Sequence, residues 1–407
     1  MRNLTFMNCG TAIKHGFDWG WTYAGISIQN CSVGIDMTAL TGSGAQNVGS
    51  ITMIDSSVRD TAVFIKTART NTSLPVSGGS LALENIQLVN VSVAIQGPNN
   101  ITVLEGTTHR TTIGGYLAGH AYTPTGPTTV QGLREPFSRP HSLVIKDGSF
   151  YTRSKPQYDN LPASEFISVR NMGAKGDAVT DDTKAFNLAI QAATHSGKVL
   201  FVDCGIYKVT STIKIPPGAR IIGEAYPNIM GSGAFFSSAK NPQPVVQVGL
   251  PGQNGVVEWS NMVVSTQGAT SGAIVIEYNL ASKTSSPSGL WDVHVRVGGF
   301  KGSDLQLAEC PTNVPSDTIN ENCMAAFMMM HVTPSAEGLY MENNWLWCSD
   351  HDMDDPQLRM VDVYSVRGLL VESTAGNLWL YVLCLPTLMC VCLSGLELRP
   401  TTVVDKY

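Results

Sequence analysis

Short runs of alternating apolar and polar residues recur along the first hundred positions of the chain. Four of them start at Leu4, Ile26, Ile51 and Leu81 and read LTFMNCGTAI, ISIQNCSVGI, ITMIDSSVRD and LALENIQLVN. Period-2 alternation predicts β-strands, and a repeat every 20–30 residues is typical of a stacked solenoid. We therefore predict an all-β fold, a right-handed parallel β-helix, rather than a β-sandwich whose strands align by chance.

Each of the four runs reaches Asn or Asp at its fifth position. These side chains suit a tight turn and can stack as a ladder between neighbouring coils. The fifth positions that we expect to form this ladder are Asn8, Asn30, Asp55 and Asn85.

A different periodicity appears in GAKGDAVTDDTKAFNLAIQAA, residues 173–193. Asp181 and Asp182 precede apolar residues spaced as on one face of a helix. Asp favours the N-cap, and Gly197 suits the end of the helix. We predict that the acids start a short helix that caps a second solenoid and are not catalytic. The predicted buried face consists of Phe186, Ala189, Ile190 and Ala193.

The pattern predicts four parts. Residues 1–150 form the C-terminal coils of one β-helix, ending in a last strand within HSLVIKDGSF, residues 141–150. Residues 151–165 form a Pro-rich inter-domain linker. Residues 166–381 form a second β-helix, and residues 382–407 form a divergent tail without strand alternation or a helical face.

Composition restricts the partners. Charged residues make up 14% of the chain and the formal net charge is −6. There is no basic patch, so neither nucleic acid nor an anionic membrane is an expected partner. An uncharged polar surface with scattered Trp and Tyr suits a neutral ligand such as a carbohydrate.

The nine cysteines include two pairs of interest. Cys310 and Cys323 flank a polar loop and could form a disulfide worth about 3 kcal/mol. Cys9 and Cys31 take equivalent positions in neighbouring coils, where a disulfide or two buried thiols would both fit. The start, MRNLTFMNCG, has no signal-peptide pattern.

The segments GAKGDAVTDDTKAF and GIYKVTSTIKIPPGARIIGEA resemble the pectate-lyase-like domain of β-helix carbohydrate enzymes. A more specific match lies in NCGTAIKHGFDWGWTYAGISIQNCSVGIDM, in NNWLWCSDHDMDD and in RGLLVESTAGNLWLY. These resemble the fungal family 55 glycoside hydrolases, over residues 1–381. The resemblance implies two tandem β-helices that release glucose from the non-reducing end of β-1,3-glucan with inversion.

The chain departs from that family after Tyr381. The family continues with two glutamate-containing segments, whereas this chain continues VLCLPTLMCVCLSGLELRPTTVVDKY. We therefore expect no catalytic residues in this chain, and truncation at both ends. A read-through intron or a frameshift is the preferred origin of the tail. A natural divergent C-terminus or a lipid-anchored segment are the alternatives.

The remaining candidate residues lie in NWLWCSDHDMDD. Trp345 and Trp347 point to one face of a strand and could form a sugar platform or pack in the core. Asp350 and Asp352 could contact sugar hydroxyls or belong to a hydrated turn. The DxDxD pattern lacks the Gly and Glu of a calcium loop, so no metal is expected. Outside this segment, Trp19, Trp21, His294 and His331 are interpreted as structural.

Three hypotheses follow. The chain is a glucan 1,3-β-glucosidase-like protein, an inactive carbohydrate-binding β-helix, or a fragment that does not fold stably. A pectin-active enzyme is the alternative enzyme class. We expect no cofactor, a β-1,3-glucan or related neutral polysaccharide as ligand, a monomer, and, by resemblance, an extracellular location.

Overall fold

The computed structural model describes residues 1–283, 285–312 and 318–381, and the backbone of the strand Val391–Leu393. These residues form two compact units that divide between Tyr151 and Thr152. The fold is a parallel β-helix with a single α-helix in the described part of the chain, as the strand periodicity predicts. In the same residues, no helix has the length and apolar character of a membrane span.

The first unit is a stack of parallel coils. Its inward-facing positions form ladders such as Ile35, Ile65 and Ile95, which are in register and buried. The strands are β1 (Thr5–Met7), β2 (Thr11–Lys14), β3 (Trp21–Ala24), β4 (Ser27–Gln29), β5 (Val33–Met37), β6 (Ser50–Thr67), β7 (Ser80–Gln96), β8 (Thr102–Thr107), β9 (Thr111–Thr123) and β10 (Gly126–Leu133).

The turn residues form two ladders rather than the predicted single one. Ser27 of β4 pairs with Ser57 of β6, so Asn30 lies beside Asp60 and not beside Asp55. One ladder is therefore Asn8, Asn30, Asp60 and Asn90, and the other is Asn3, Gly25, Asp55 and Asn85. The predicted alignment was wrong by five residues for half of the coils.

All eight ladder positions have positive φ, between 49° and 65°. Gly, Asn and Asp tolerate this left-handed conformation best, which explains the residue types. Amide side chains also bond across coils, with Asn30 donating to Asn8 at 2.8 Å and Asn85 donating to Asp55 at 2.6 Å. Each coil has two such turns, and both select Asn, Asp or Gly. An Asn in the sequence therefore does not show which of the two turns it occupies.

The parallel stack of this unit ends in antiparallel strands. β8 and β9 pair with β7, and β10 pairs with β9, all antiparallel. The predicted last strand at residues 141–150 is wrong, because His141–Leu143 is a 3-10 turn and only Val144 and Phe150 form an isolated bridge. Arg139 instead holds this segment, donating to Glu84 at 2.8 Å and to Asp55 at 2.6 Å.

Every strand pairing among the described residues of the second unit is parallel. Two rows of strands share β19 and β21, and a further sheet runs β15-β18-β20-β23-β27-β29. The strands are β11 (Phe166–Ser168), β12 (Asp177–Asp181), β13 (Val199–Val202), β14 (Ile206–Val209), β15 (Ile213–Ile215), β16 (Arg220–Gly223), β17 (Asn228–Ser232), β18 (Gln243–Val248), β19 (Glu258–Gln267), β20 (Ala273–Tyr278), β21 (Ser288–Val297), β22 (Met324–Ala326), β23 (Met328–Val332), β24 (Leu339–Glu342), β25 (Leu346–Cys348), β26 (Tyr364–Ser365), β27 (Leu369–Val371), β28 (Leu378–Tyr381) and β29 (Val391–Leu393).

Helix α1 spans Thr183–His195 and buries the four predicted apolar residues. Asp182 occupies the N-cap position, but its buried carboxylate accepts N–H bonds from Lys175 and Gly176 instead of from the helix. Asp181 accepts the N–H and hydroxyl of Thr183. The two acids therefore fix the turn before the helix and its first residue, and the expected N-cap bond from Asp182 is absent.

The predicted linker begins with a segment bound to the second unit. Arg153 forms an ion pair with Glu258, and Tyr158 donates to the other oxygen of that carboxylate at 2.8 Å. Lys155 donates to Asn261 at 3.0 Å and to Asp292 at 2.7 Å. Residues 153–158 therefore run along the turns of this unit as a bound strap.

Cys310 and Cys323 form a disulfide, and both are buried. Cys9 and Cys31 are free thiols, each donating to the carbonyl two residues before it. Most of the predicted tail, residues 382–407, lies outside the described residues; within it, the backbone of β29 pairs in parallel with β27.

Asn85 tests the ladder. Asn85→Gly keeps the backbone conformation and removes only the bond to Asp55, so the free energy of unfolding should fall by about 1 kcal/mol. Asn85→Ala also places an alanine at φ +54°, which costs a further 1 kcal/mol or so. Urea unfolding followed by tryptophan fluorescence measures both values. Equal losses in the two variants would contradict this account.

Candidate functional site

The second unit carries two stacked tryptophans on its outer surface. Trp345 and Trp347 lie two residues apart at β25, and their rings are 5.0 Å apart and within 9° of parallel. Trp347 is only 6% exposed, whereas Trp345 is 41% exposed. The inner ring therefore supports the outer one, which presents a flat apolar face to solvent. We refer to these two residues as the tryptophan pair.

Side chains of neighbouring strands pack around Trp347. β25 pairs with β21 so that Trp347 lies opposite Arg296, whose guanidinium carbon is 5.0 Å from the indole centroid. The ring of His351, which follows β25 in the chain, lies 5.3 Å from the ring of Trp347. Such cation–π and ring contacts fix the orientation of a tryptophan. Trp347 is therefore held in place by Arg296 of β21 and by His351 after β25.

Two buried donors in this cluster have no acceptor among the described residues, Trp347 Nε1 and Arg296 Nε. Burial lowers the pKa of Arg296, while Asp354 and Asp352 act in the opposite direction. Both donor atoms are shielded from solvent, so they are closed to a ligand and reflect the tight packing around Trp347.

His294 connects the tryptophan pair to the preceding coil. Its Nδ1 accepts the backbone N–H of Trp345 at 3.1 Å. Burial lowers the pKa of this imidazole, with Asp292 opposing the shift, so the ring is neutral at pH 7. The half-buried ring of His294 fixes the backbone of the exposed tryptophan, and the interpretation of His294 as structural stays a prediction.

Asp352 is buried and bonded on both carboxylate oxygens. Its buried carboxylate accepts bonds from Gln306 Nε2 at 2.9 Å and from the N–H groups of Leu307 and Asp354 at 3.1 and 2.9 Å. Although burial raises the pKa of Asp352, these bonds outweigh it and lower the pKa. The geometry favours a structural role in tying the loop at residues 306–307 to the turn at 350–355.

Asp350 differs from Asp352 because it is half-buried and bonds to His351 Nδ1 at 2.8 Å. The two remaining acids are engaged elsewhere: Asp354 accepts the N–H of Lys301 at 2.6 Å, and Asp355 pairs with Arg359. Of the four, Asp350 is the acid linked to the tryptophan pair, because it bonds to His351, whose ring contacts Trp347.

No group of His, Cys, Asp and Glu suited to a metal ion occurs among residues 1–283, 285–312 and 318–381. His331, interpreted as structural, lies in β23, on a different sheet from the tryptophan pair. Its Nε2 bonds to Glu372 at 2.6 Å.

The first unit also exposes aromatic rings. His15 bonds to Asp18 at 2.6 Å and to Tyr23 at 2.7 Å, and all three are buried. Trp19 and Trp21, in the same segment, are exposed. The rings of Trp21 and His15 are 6.3 Å apart, and the structural interpretation of Trp19 and Trp21 stays a prediction.

Arg296 is the main component of the site that the sequence did not indicate. The only signal was the outward alternation of His294 and Arg296 along β21, which becomes informative once β21 is paired with β25.

Comparisons with known proteins agree with the fold. The family described as rhamnogalacturonase A/epimerase, pectate lyase-like matches residues 1–36 and 166–288. A glucan 1,3-beta-glucosidase from Cochliobolus carbonum is 44% identical over 383 residues, which are 94% of this chain and 47% of that protein. A probable glucan endo-1,3-beta-glucosidase from Arthroderma benhamiae is 33% identical over 93% of this chain and 53% of its own length.

A preneck appendage protein of Bacillus phage PZA is 44% identical over 57 residues, 14% of this chain and 6% of its own length. The chain thus spans about half the length of the two fungal relatives and shares a short segment with a phage protein.

We expect substitution of Asp350 and of Asp352, which the sequence analysis assigned together, to have different effects on the melting temperature. Asp352→Ala leaves buried N–H donors unpaired, each costing about 1–3 kcal/mol, so the melting temperature should fall by several degrees. Asp350→Ala, at a half-exposed position, should change it little. Thermal unfolding by circular dichroism decides. A larger loss for Asp350→Ala would overturn the assignment of roles.

Proposed function

The chain belongs to the family of the fungal glucan 1,3-β-glucosidases, glycoside hydrolase family 55, and on that premise we propose that it binds β-1,3-glucan through the tryptophan pair. The observation that carries the proposal is the exposed ring of Trp345 stacked on the immobilised ring of Trp347. A glucose ring presents apolar C–H faces that stack on aromatic rings.

The charges around the tryptophan pair support a neutral ligand. Arg296 is half-buried between Phe300 and Trp347, and Asp350 is paired with His351. An anionic polysaccharide such as polygalacturonate would need accessible cations, which this cluster does not provide. Pectin is therefore the less favoured ligand.

Hydrolysis is a separate question from binding. Inversion requires a carboxylic acid and a carboxylate about 6.5–9.5 Å apart, and the acid must have a raised pKa. Asp352 and Asp355 have lowered pKa values instead. The family resemblance puts the catalytic glutamates in segments that residues 382–407 do not match. We propose that the 407-residue chain binds glucan without releasing glucose.

The remaining features of the proposal concern the setting. We propose an extracellular monomer that uses no cofactor. The Cys310–Cys323 disulfide supports the location, because disulfides persist mainly in oxidising compartments.

Replacing the exposed ring tests the proposal. Trp345→Ala should weaken binding to laminarin on the order of tenfold, since exposed aromatic anchors contribute 1–2 kcal/mol or more. Migration in laminarin-containing native gels measures the affinity. Phe235→Ala is the matched control, because Phe235 is a 43% exposed ring of the same unit outside this cluster.

Two parallel assays complete the experiment. Retardation by polygalacturonate but not by laminarin would refute the glucan proposal in favour of a pectin ligand. Release of glucose from laminarin would show that the chain is a hydrolase and that its catalytic acids lie within these 407 residues.

A further inference from the structure

Another exposed aromatic ring of the second unit packs against His294, which binds the backbone of Trp345. Tyr226 occupies the turn between β16 and β17 and is 46% exposed. Its φ is +61°, and that of Ala225 before it is +53°. A non-glycine residue in this conformation costs on the order of 1 kcal/mol, so its neighbours must hold the turn in place. The turn directs the tyrosine ring toward the outer surface.

His294 joins Tyr226 to Trp345. The rings of Tyr226 and His294 are 5.3 Å apart and tilted by 39°. The same imidazole accepts the backbone N–H of Trp345 through Nδ1. Because β17, β19, β21 and β25 are successive neighbours, the backbone beneath the row of Tyr226, His294 and Trp345 spans three strand spacings, roughly 14 Å. That span exceeds one pyranose ring.

The hydrogen-bonding state of His294 follows from its contacts. A neutral imidazole whose Nδ1 accepts a bond carries its proton on Nε2. Burial lowers the pKa of His294, which keeps it neutral at pH 7. The row therefore consists of two exposed aromatic faces with an N–H donor between them, the combination that binds the faces and hydroxyls of sugars.

The charges beside this row are paired. Asp292, the acid nearest to Tyr226 and His294, binds Lys155 at 2.7 Å and accepts the side-chain amide of Asn343. A neutral ligand can therefore approach the row without losing or gaining an ionic contact.

We propose that Tyr226 and His294 form a second sugar-binding position, continuous with Trp345, so that the second unit binds at least two neighbouring residues of one glucan chain. This inference rests on the proposed function, because it takes β-1,3-glucan as the occupant. It adds a dependence on chain length that a single tryptophan platform would not produce.

Titration with glucose and with laminari-oligosaccharides up to the hexasaccharide tests the inference. The full 407-residue chain should bind longer oligosaccharides more tightly, by on the order of tenfold across the series. Tyr226→Asn removes the ring but keeps a residue that tolerates positive φ, and it should abolish this gain. Trp345→Ala should weaken binding at every length.

His294→Asn separates the donor from the backbone contact. The Asn oxygen can replace Nδ1 as acceptor for the Trp345 N–H, whereas the Asn NH₂ group is too close to the backbone to take the position of the Nε2 proton. Affinity for the longer oligosaccharides should fall severalfold with the melting temperature unchanged. Phe235→Ala again serves as the control for removal of an exposed ring.

The outcomes separate the two proposals. If the wild-type chain binds none of the oligosaccharides, the proposed function fails and this inference with it. If the wild-type chain binds them and Tyr226→Asn shows the same dependence on length, the second position is refuted while the tryptophan platform stands.

Discussion

The left-handed turn shared by successive coils is the constraint on which the first unit depends. In a parallel stack each strand bonds to the strands above and below, so every coil must leave its strand at the same place. Asn, Asp and Gly meet this requirement because they accept positive φ, and the amides also bond to their equivalents one coil away. A coil that turned elsewhere would place its apolar residues outside the core.

The second unit uses the same left-handed turns, and there they also align residues of the candidate site. Asn261, Asp292 and Asn343 have positive φ on neighbouring coils, and Lys155 binds the first two. The strands that follow these turns carry His294 and Arg296 on one coil, and Trp345 and Trp347 on another. The register set at the turn thus aligns the imidazole with one tryptophan and the guanidinium with the other.

Local features of the sequence were sufficient for much of the fold. The alternation of apolar residues predicted the strands, and the spacing of Phe186, Ala189, Ile190 and Ala193 predicted the buried face of α1. The pairing of coils was harder, because Asn and Asp occur at both turns of each coil. The antiparallel strands β8 to β10 were missed because their sequence breaks the repeat on which the prediction relied.

The candidate site was predictable only in part. Trp345 and Trp347 were identifiable because two residues of one strand share a face by geometry alone. Their partners His294 and Arg296 lie 51 residues earlier in the chain, and no local pattern shows which coil will be their neighbour. The separate environments of Asp350 and Asp352 likewise depend on a loop, at residues 306–307, that is remote in sequence.

The strap at residues 153–158 has a consequence for the order of folding. Its partners Glu258 and Asp292 follow it by 100 to 137 residues. At a synthesis rate of 5–20 residues per second, Lys155 leaves the ribosome on the order of ten seconds before Asp292 does. Contacts of such long sequence separation form late. We therefore expect the strap to stay unbound while the early coils stack. Arg153 and Lys155 then bind once the coils that carry Glu258 and Asp292 are complete.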